Sequence, residues 1–376
     1  MKKRYIESQV INDLTKKMVL VAGPRQSGKT TFSKKLLHSQ YPSSEKIRYL
    51  NWDIASDRAH LLEARMPATK GLIVLDEIHK FRKWKNLLKG LFDNHRDSIQ
   101  FLITGSARLD LFRKAGDSLQ GRYHFLRLYP FSFQELQGTG STIESLLELS
   151  AFPEPFLSGS QKEARRWSRE YRSRLIHEEV GTVEQVKDLG LMEMMAIRLH
   201  DLVGSPLSLN SLREDLSVAH ATITRWVELL EKFYFLFRVF PFGAPQIKAV
   251  KKEYKHYLFD WTLIEEEGAK FENLIAFHLL KWCHFIEDTE GFDMELRYFR
   301  DIDMREVDFV ILRNKKPELF VEAKFSDKSV SPHLLYLKRK FPNVRALQVV
   351  NKEGIGFRNS EGVEVLSASR FLKELI

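Results

Sequence analysis

Three short apolar runs stand out in the first third of the chain, and each is followed by glycine-rich or polar sequence. They cover residues 18–22, 71–75 and 99–103. A wholly apolar run of this length is typical of a parallel strand that is buried on both faces. A helix-compatible stretch over residues 31–38 follows the first run. The pattern therefore predicts an α/β domain, a parallel sheet with flanking helices, over residues 1–137.

Helical periodicity replaces these runs after a flexible stretch at residues 137–141. Trp167, Tyr171 and Leu175 recur at every fourth position, which predicts a helix with a buried apolar stripe. We predict a helical connector over residues 138–204. Five arginines surround the stripe, and they are interpreted as a solvated face, with a phosphate-contacting patch as the alternative: Arg165, Arg166, Arg169, Arg172 and Arg174.

A helix-turn-helix pattern comes next, and it predicts a winged helix-turn-helix module over residues 205–260. Its two helices are predicted from these apolar positions: Leu209, Leu212, Leu216, Ile223, Trp226, Val227 and Leu230. The segments 235–241 and 254–259 are strand-like, as the hairpin of a winged helix would be. The outer face of the second helix carries three polar residues: Thr222, Arg225 and Glu228. This face suits the DNA major groove and a protein partner equally well.

Two strand-like runs in the last quarter of the chain predict a β-hairpin, within a small α/β domain over residues 261–376. Partners in an antiparallel hairpin have residue numbers with a constant sum. A turn centred on Lys315 would therefore place Asp308 opposite Glu322. Side chains alternate along a strand, so Lys324 shares the face of Glu322.

The paired carboxylates indicate candidate metal chemistry. Two like charges that face each other repel unless a divalent cation lies between them. We therefore expect Mg²⁺ on Asp308 and Glu322, with Lys324 activating water or steadying a phosphate, as a metal-dependent nuclease requires. Glu272, in a predicted amphipathic helix, is a candidate third carboxylate. The alternative is a solvated strand edge, because Glu-x-Lys is a very common pattern.

Length, composition and charge narrow the class of protein. A chain of 376 residues predicts two or three domains. The single cysteine, Cys283, excludes a disulfide framework and a Cys/His metal cluster, and it fits a reducing cytoplasm. No apolar signal-peptide core and no apolar stretch of about 18 residues occurs, so no membrane partner is expected. The net charge of +9, from 59 basic and 50 acidic residues, permits nucleic-acid contact.

The segment after the first apolar run has the composition of a phosphate-binding loop. The candidate nucleotide-binding residues are consecutive: Gly23, Pro24, Arg25, Gln26, Ser27, Gly28, Lys29, Thr30 and Thr31. Glycines that allow positive φ let backbone N–H groups point at phosphate oxygens, and the following helix adds the positive end of its dipole. Lys29 is expected to reach the β- and γ-phosphates of ATP, and the Thr30 hydroxyl to bind Mg²⁺. The alternative is a glycine turn before a helix, with a chance lysine.

Two carboxylates end the second apolar run and complete the predicted ATP site. The carboxyl ends of parallel strands meet at one edge of a sheet, where ligands bind. We expect Asp76 to hold Mg²⁺, and Glu77 to orient and deprotonate the attacking water. After the third run, Thr104 or Ser106 is the candidate to contact the γ-phosphate. The alternative for the two carboxylates is an acidic pair at the start of a helix.

Two arginines after the third run are candidates for neutralising the charge that develops during phosphoryl transfer. They are Arg108 and Arg122, and Arg122 is included among the predicted catalytic residues. Each could act within its own chain or across subunits, which leaves open a homo-oligomer. The alternative for each is an ordinary surface arginine.

In this order, the motifs resemble those of a widespread prokaryotic family of AAA-type P-loop ATPases with a C-terminal winged helix and a PD-(D/E)XK restriction-endonuclease-like domain. Beyond the loop at residues 23–30, the motifs are Leu75-Asp76-Glu77, Ile103-Thr104-Gly105-Ser106, Pro130-Phe131-Ser132-Phe133, Phe152-Pro153-Glu154, Phe259-Asp260, Phe271-Glu272-Asn273-Leu274, Glu306-Val307-Asp308 and Glu322-Ala323-Lys324. The resemblance implies ATP and Mg²⁺ as ligands. It also matches four residues to the nuclease positions: Glu272, Asp308, Glu322 and Lys324. Ser150-Ala151 and Trp261-Thr262 depart from the family at positions where glycine is usual.

We therefore expect an ATP-hydrolysing, DNA-associated motor or switch that carries a metal-dependent nuclease-like site. The alternative is a nucleotide-gated regulatory or scaffold protein whose nuclease-like domain is catalytically inactive. A third interpretation is a winged-helix transcription regulator. The DNA structure recognised, the oligomeric state and the cellular process do not follow from the sequence.

Overall fold

The computed structural model describes residues 3–40, 47–63, 70–106, 109, 119–181, 188–243, 253–326 and 329–376. Its contacts divide the chain into two units, Met1–Pro130 and Phe131–Ile376. Each unit combines a β-sheet with helices, so the predicted α/β fold class is confirmed. Within the described residues, no helix combines the length and the apolar composition that crossing a membrane requires.

Five parallel strands form the sheet of the first unit: β1 (Met18–Ala22), β2 (Ile47–Asn51), β3 (Gly71–Asp76), β4 (Ile99–Thr104) and β5 (Tyr123–Arg127). Their order across the sheet is β2-β3-β4-β1-β5. The three predicted apolar runs form β1, β3 and β4, and their side chains are buried except for the half-buried Gln100. Asp76 lies in register with Thr104, so the carboxyl ends of β3 and β4 meet at one edge of the sheet.

Helices pack on this sheet through apolar faces. Within the described part of the first unit they are α1 (Glu7–Leu14), α2 (Lys29–Gln40), α3 (Ala55–Leu62) and α4 (Trp84–His95), and a 3-10 helix, Ile78–Lys80, follows β3. In α4, Trp84, Leu88 and Leu91 recur at helical spacing and are buried against Ile73 and Phe101 of the sheet. This core fixes the strands, and with them the positions of the residues at the strand ends.

The second unit begins with a helical segment. Its described helices are α5 (Ile143–Leu149), α6 (Pro153–Ser158), α7 (Gln161–Arg174), α8 (Leu189–Asp201), α9 (Leu209–Asp215), α10 (His220–Lys232), α11 (Glu267–Glu290), α12 (Pro332–Lys340) and α13 (Ala368–Lys373), with a π-helix, Leu175–Val180, after α7. The predicted apolar stripe of α7 is confirmed, because Trp167, Tyr171 and Leu175 are each at most 5% exposed. Trp167 stacks on Tyr171 with ring centroids 4.7 Å apart. Helices α9 and α10 occupy the segment in which two helices were predicted.

Eight strands form the sheet of the second unit: β6 (Leu236–Pro241), β7 (Lys255–Leu258), β8 (Met294–Arg300), β9 (Glu306–Arg313), β10 (Lys316–Lys324), β11 (Arg345–Val350), β12 (Gly356–Arg358) and β13 (Glu364–Ser367). Their order is β12-β13-β11-β10-β9-β8-β6-β7. Strands β6 and β7 pair as an antiparallel hairpin, and β6 also pairs with β8 through Phe240 and Pro241. The hairpin expected of a winged helix therefore belongs to the same sheet as the strands expected of a nuclease-like domain. The domain boundaries at residues 137, 204 and 260 stay predictions.

The turn between β9 and β10 lies between Asn314 and Lys315, not on Lys315 as predicted. Both residues have positive φ, 50° and 65°, as a two-residue type I′ turn requires. A bulge early in β10 then shifts the register by one residue. The two departures compensate, so Asp308 meets its predicted partner, and the Asp308 N–H donates to Glu322 Oε2 at 3.4 Å.

Helix α11 anchors the edge strand β7 through a buried amide. The Leu258 N–H donates to Asn273 Oδ1 at 2.7 Å, and Asn273 Nδ2 donates to the Leu258 carbonyl at 2.8 Å. An edge strand has a partner on one side only, so the Asn273 side chain replaces the missing strand for this residue. Asn273 is fully buried, and water cannot take its place.

We expect Asn273→Ala to lower the free energy of unfolding by about 2–4 kcal/mol, because two buried backbone groups of Leu258 lose their partners. Urea unfolding of the full chain measures the change. Asn210→Ala, at an exposed position of α9, is the matched control and should change stability by less than about 0.5 kcal/mol. Equal stability of the two variants would contradict the anchoring role.

Candidate functional site

The loop between β1 and α2 packs closely on neighbouring backbone and contains residues with positive φ. A Cβ atom on Gly23 would lie 2.2 Å from the Leu128 carbonyl oxygen, so only glycine fits there. Gln26 and Gly28 both have positive φ, 60° and 91°. Such loops direct successive backbone N–H groups into their concave side, where an anion can accept hydrogen bonds. The loop is therefore a candidate phosphate site.

Lys29 and Ser27 are buried within this loop. The Lys29 ammonium donates to the Gly23 carbonyl at 3.0 Å and to the Pro24 carbonyl at 2.5 Å. The Ser27 hydroxyl is buried and has no hydrogen-bond partner among the described residues. A phosphate oxygen would satisfy both groups. Among the other predicted binding residues of this segment, Pro24 is buried, and four are exposed: Arg25, Gln26, Thr30 and Thr31.

A buried arginine that the sequence did not indicate holds this loop in place. The Arg4 guanidinium donates to the Ser27 carbonyl at 2.9 Å and to the Tyr129 carbonyl, and Arg4 is 3% exposed. The hydroxyl of the next residue, Tyr5, donates to the Arg127 carbonyl at 2.5 Å. Because these residues precede the first strand and form no motif, no sequence pattern could have identified them. They tie the loop to the segment that follows β5.

Asp76 ends β3 at a point where three hydroxyl groups donate to its carboxylate. Thr30 donates to Oδ2 at 3.1 Å, Thr104 donates to Oδ1 at 2.6 Å, and Tyr49 also donates to Oδ2. Burial, and then the Asp76 carboxylate, raise the pKa of Tyr49, so its hydroxyl remains a donor. A hydroxyl and a carboxylate are oxygen ligands of the kind that Mg²⁺ prefers, and those of Thr30 and Asp76 are close enough to share one ion. The residues of this site therefore fit magnesium.

Glu77 follows Asp76 and adopts the left-handed conformation, with φ of 57°, at the start of the 3-10 helix. Its carboxylate lies 3.6 Å from His79 Nε2 and 3.5 Å from Lys80 Nζ. Lys80 also pairs with Asp53 at 2.6 Å. The Glu77 side chain is 21% exposed, so it is held by its neighbours and still open to water.

Of the two candidate arginines, Arg108 lies outside the described residues. Arg122 precedes β5, and its carbonyl accepts from the Met18 N–H at the amino-terminal edge of the sheet. Its guanidinium donates two hydrogen bonds to Asp93, at 2.8 and 3.0 Å. The phosphate-binding loop leaves the opposite edge. The structure therefore does not bring Arg122 to the loop within one chain, because residues that precede a parallel strand lie away from the strand's carboxyl end.

The carboxyl edge of the sheet brings other polar residues to the loop. Arg127, at the carboxyl end of β5, is in register with Ala22 directly before the loop, and sequence reasoning missed it. Thr104 uses its hydroxyl on Asp76. Ser106, the other candidate for a γ-phosphate contact, is buried two residues beyond β4.

In the second unit, a buried lysine lies among the predicted carboxylates. Lys255 Nζ is 2.6 Å from Glu306 Oε1, 3.4 Å from Glu272 Oε1 and 3.9 Å from Asp308 Oδ1. Burial acts to lower the pKa of Lys255, but the three carboxylates outweigh burial and place the pKa above its ordinary value. Lys255 therefore carries its charge in the folded protein. We call these four residues the carboxylate cluster.

Asp308 and Glu322 meet as the sequence predicted, but their mutual repulsion is relieved in a different way from the predicted metal ion. The Ala323 N–H donates to Asp308 Oδ2 at 2.8 Å, and Lys324 Nζ is 3.0 Å from Glu322 Oε1. Burial, and then the charge of Asp308, raise the pKa of Glu322 to about 8, while Lys324 opposes the rise. A carboxyl group with this pKa holds a proton at neutral pH. A proton can thus relieve the repulsion that the sequence led us to assign to a metal ion.

Glu272 reaches the cluster from α11. The Tyr257 hydroxyl donates to its Oε1 at 2.6 Å, and burial, followed by the Asp308 charge, raises its pKa to about 7. Among the described residues, no group of three or more His, Cys, Asp and Glu side chains is arranged to hold a metal ion. The residues here do not fit the magnesium that the nuclease resemblance implies. The sequence could have indicated Glu306, because it lies two residues before Asp308 on one strand and so shares its face. Nothing in the sequence indicated Lys255.

Comparison with known protein families covers almost the whole chain. Residues 15–137 match the family model of an AAA domain. Residues 141–266 and 267–371 match two models described as domains of unknown function, DUF8612 and DUF4143. The first match supports an AAA-type P-loop ATPase and nucleotide binding in the first part of the chain. The winged helix and the nuclease-like domain are not among the matched descriptions.

Relatives match this chain over both units. An uncharacterized protein of Haemophilus influenzae is 22% identical over 91% of this chain and 92% of its own length. An uncharacterized protein of Methanocaldococcus jannaschii is 24% identical over 75% of this chain and 71% of its own length. Among solved structures, a RuvB protein of Thermotoga maritima is 20% identical and covers 62% of this chain and 88% of its own, with a TM-score of 0.31. A score this low assigns neither fold nor function.

We expect Gly23→Ala to weaken ATP binding by at least about tenfold, because the new Cβ would displace the loop from the rigid Leu128 carbonyl. Fluorescent ATP-analogue titration measures the affinity. Gly90→Ala is the matched control, since a Cβ there meets no atom within 4 Å and lies in a helix that alanine favours. Parental affinity in Gly23→Ala would show that the loop does not hold phosphate.

Proposed function

We propose that the chain binds and hydrolyses ATP with Mg²⁺ at the loop between β1 and α2. The contact of the Thr30 hydroxyl with Asp76 Oδ2, at 3.1 Å, carries this proposal. Thr30 lies at the start of α2 and Asp76 at the end of β3. Together they supply the hydroxyl and the carboxylate that would hold the Mg²⁺ of a bound nucleotide. Lys29 lies on the inner side of the same loop.

Each residue has a role that follows from its contacts. Bound Mg²⁺ would supply neutralisation of the phosphate oxygens, and Thr30 and Asp76 would hold it. Thr104 and Tyr49 keep the Asp76 carboxylate oriented through their hydroxyl groups. Glu77, steadied by Lys80 at 3.5 Å, would accept the proton of the attacking water.

The arginine that completes phosphoryl transfer is also part of the proposal. Arg127, at the loop edge of β5, is better placed than Arg122 to act within one chain. The alternative is an arginine from a second copy, in which case a homo-oligomer would complete the site. We also propose a reducing, cytoplasmic location, because a sequence with a single cysteine, Cys283, has no disulfide framework.

We expect Lys29→Ala to reduce ATP turnover by at least about 100-fold, because the lysine charge on the β- and γ-phosphates is lost. A coupled assay of phosphate release measures the rate. Lys16→Ala, which removes an exposed lysine of the same unit, is the control and should keep the parental rate. Turnover by Lys29→Ala at the rate of the Lys16→Ala protein would place ATP hydrolysis elsewhere.

We further propose that ATP turnover is coupled to DNA contact through α10. The exposed side of this helix carries Arg225 and Lys232, together with Glu228, along a shallow groove. The net charge of +9 favours a polyanionic partner over a basic one. A protein partner on the same groove is the competing interpretation, and the DNA structure or sequence recognised is left open.

We expect the double substitution of Arg225→Ala and Lys232→Ala to weaken duplex DNA binding and to lower the salt dependence by about two in log-log slope, one per lost phosphate contact. Fluorescence anisotropy at several salt concentrations measures both. Arg339→Ala removes an exposed arginine that pairs with Glu361, and it serves as the control. An unchanged slope in the double variant would favour the protein partner.

The carboxylate cluster favours a second candidate function for the whole chain, an ATP-gated regulatory or scaffold protein whose nuclease-like site is catalytically inactive. Lys255 already places a positive charge beside Glu272 and Asp308, two acids that match the nuclease positions, and beside Glu306. Incubation of the purified chain with DNA and Mg²⁺, followed by a gel, separates the two candidates. Cleavage that is lost in Asp308→Ala would restore the nuclease as the leading candidate.

A further inference from the structure

We propose that Lys255 is the resident cation of the carboxylate cluster, in the position that the nuclease resemblance would give to a divalent metal ion. The inference concerns the second unit and deepens the inactive-site candidate, on which it rests. It is independent of ATP hydrolysis in the first unit, so either can fail without the other.

The distances place the Lys255 ammonium at the point where a metal ion bound by these carboxylates would lie. Lys255 Nζ contacts carboxylate oxygens of Glu306, Glu272 and Asp308 at 2.6, 3.4 and 3.9 Å. Mg²⁺ binds carboxylate oxygens at about 2.1 Å in a strict octahedron, so it would require the same oxygens. An ammonium of charge +1 and an Mg²⁺ ion within about 4 Å of each other repel strongly where water is excluded. The ammonium and a divalent ion therefore exclude one another.

Lys255 is built into the cluster from all sides. It is 1% exposed, and the Tyr298 ring lies 5.5 Å from its Nζ. Tyr257, two residues along the same strand, donates to Glu272. Moving an ammonium out of water costs several kcal/mol unless its hydrogen bonds are replaced. Lys255 donates to Glu306 at 2.6 Å and to Glu272 at 3.4 Å, and Asp308 adds its negative charge at 3.9 Å. Such a lysine does not swing away to admit a metal ion.

The other cations near the acids do not take this role. Lys324 pairs with Glu322 at 3.0 Å, and its side chain is 41% exposed. Arg300 Nε lies 3.7 Å from Glu306, on the partly exposed side. Lys324 is therefore a matched control, since it is a lysine that touches one acid of the neighbourhood without occupying the cluster.

The strand that carries Lys255 gives the cluster a structural consequence. Lys255 lies on β7, whereas Glu272 lies on α11 and Asp308 lies on β9. Among the described residues, β6 pairs with β8 through Phe240 and Pro241. The Lys255 ammonium adds a link from β7 to the acids of β9 and α11.

The test compares the nucleotide-free full chain with Lys255→Met and Lys324→Met, so that the ATP site is the same in all three proteins and lacks the phosphate ligands of a bound metal ion. Mn²⁺ binding is followed by the electron paramagnetic resonance signal of the free ion. We expect no saturable site in the parent at Mn²⁺ concentrations below the millimolar range. Lys255→Met, which removes the buried ammonium from three carboxylates, should bind Mn²⁺ at least about tenfold more tightly than Lys324→Met.

A thermal readout on the same proteins is independent of that signal. Mn²⁺ should raise the Tm of Lys255→Met, since a ligand that binds only the folded state stabilises it, and should leave the parent unchanged. Saturable Mn²⁺ binding by the parent that Asp308→Asn abolishes would overturn the proposal. If Lys255→Met does not fold, the parent and Asp308→Asn still decide, because the proposal requires them to be equal in Mn²⁺ binding.

Discussion

A charged group that leaves water must be given hydrogen bonds or an opposite charge, and this requirement organises both units. In the first unit, Asp76 accepts three hydroxyl donors and Lys29 donates to two carbonyls of its own loop. In the second, Lys255 serves three carboxylates, and Lys281 forms a buried pair with Glu135. Each buried charged group thus needs a polar partner. The chemistry that each site can perform depends on whether that partner is a neutral donor or an opposite charge.

The two acidic sites differ in that partner. The described hydrogen bonds to Asp76 come from neutral hydroxyl groups, so its charge remains available to a cation beside the loop. Asp308 and its neighbours face the Lys255 ammonium. Glu322 has a pKa of about 8, so a bound proton removes its negative charge at neutral pH. Carboxylates at strand positions that look equivalent in the sequence therefore lead to different chemistry. A metal site suits the first unit, and a self-neutralised cluster suits the second.

Much of the architecture was readable because it rests on local rules. Buried parallel strands need continuous apolar runs, which identified β1, β3 and β4, and α7 shows its stripe through helical spacing. The register of the β9–β10 hairpin was reached although its turn was misplaced, since the bulge compensated. Strands β2 and β5 carry mixed sequence and were missed. Arg122 does not meet the loop within one chain, because it precedes β5 and the start of a parallel strand lies at the far edge of the sheet.

The sequence alone determined the α/β class, the phosphate-binding loop, the acidic strand end and the pairing of Asp308 with Glu322. Each depends on residues close together in the chain, where spacing and backbone geometry leave few arrangements. Only the tertiary structure decided which residues hold the loop, as Arg4 does, and which cation meets the second set of acids, as Lys255 does. Those contacts join residues from separate elements, and long-range packing selects them through burial, which no local pattern encodes.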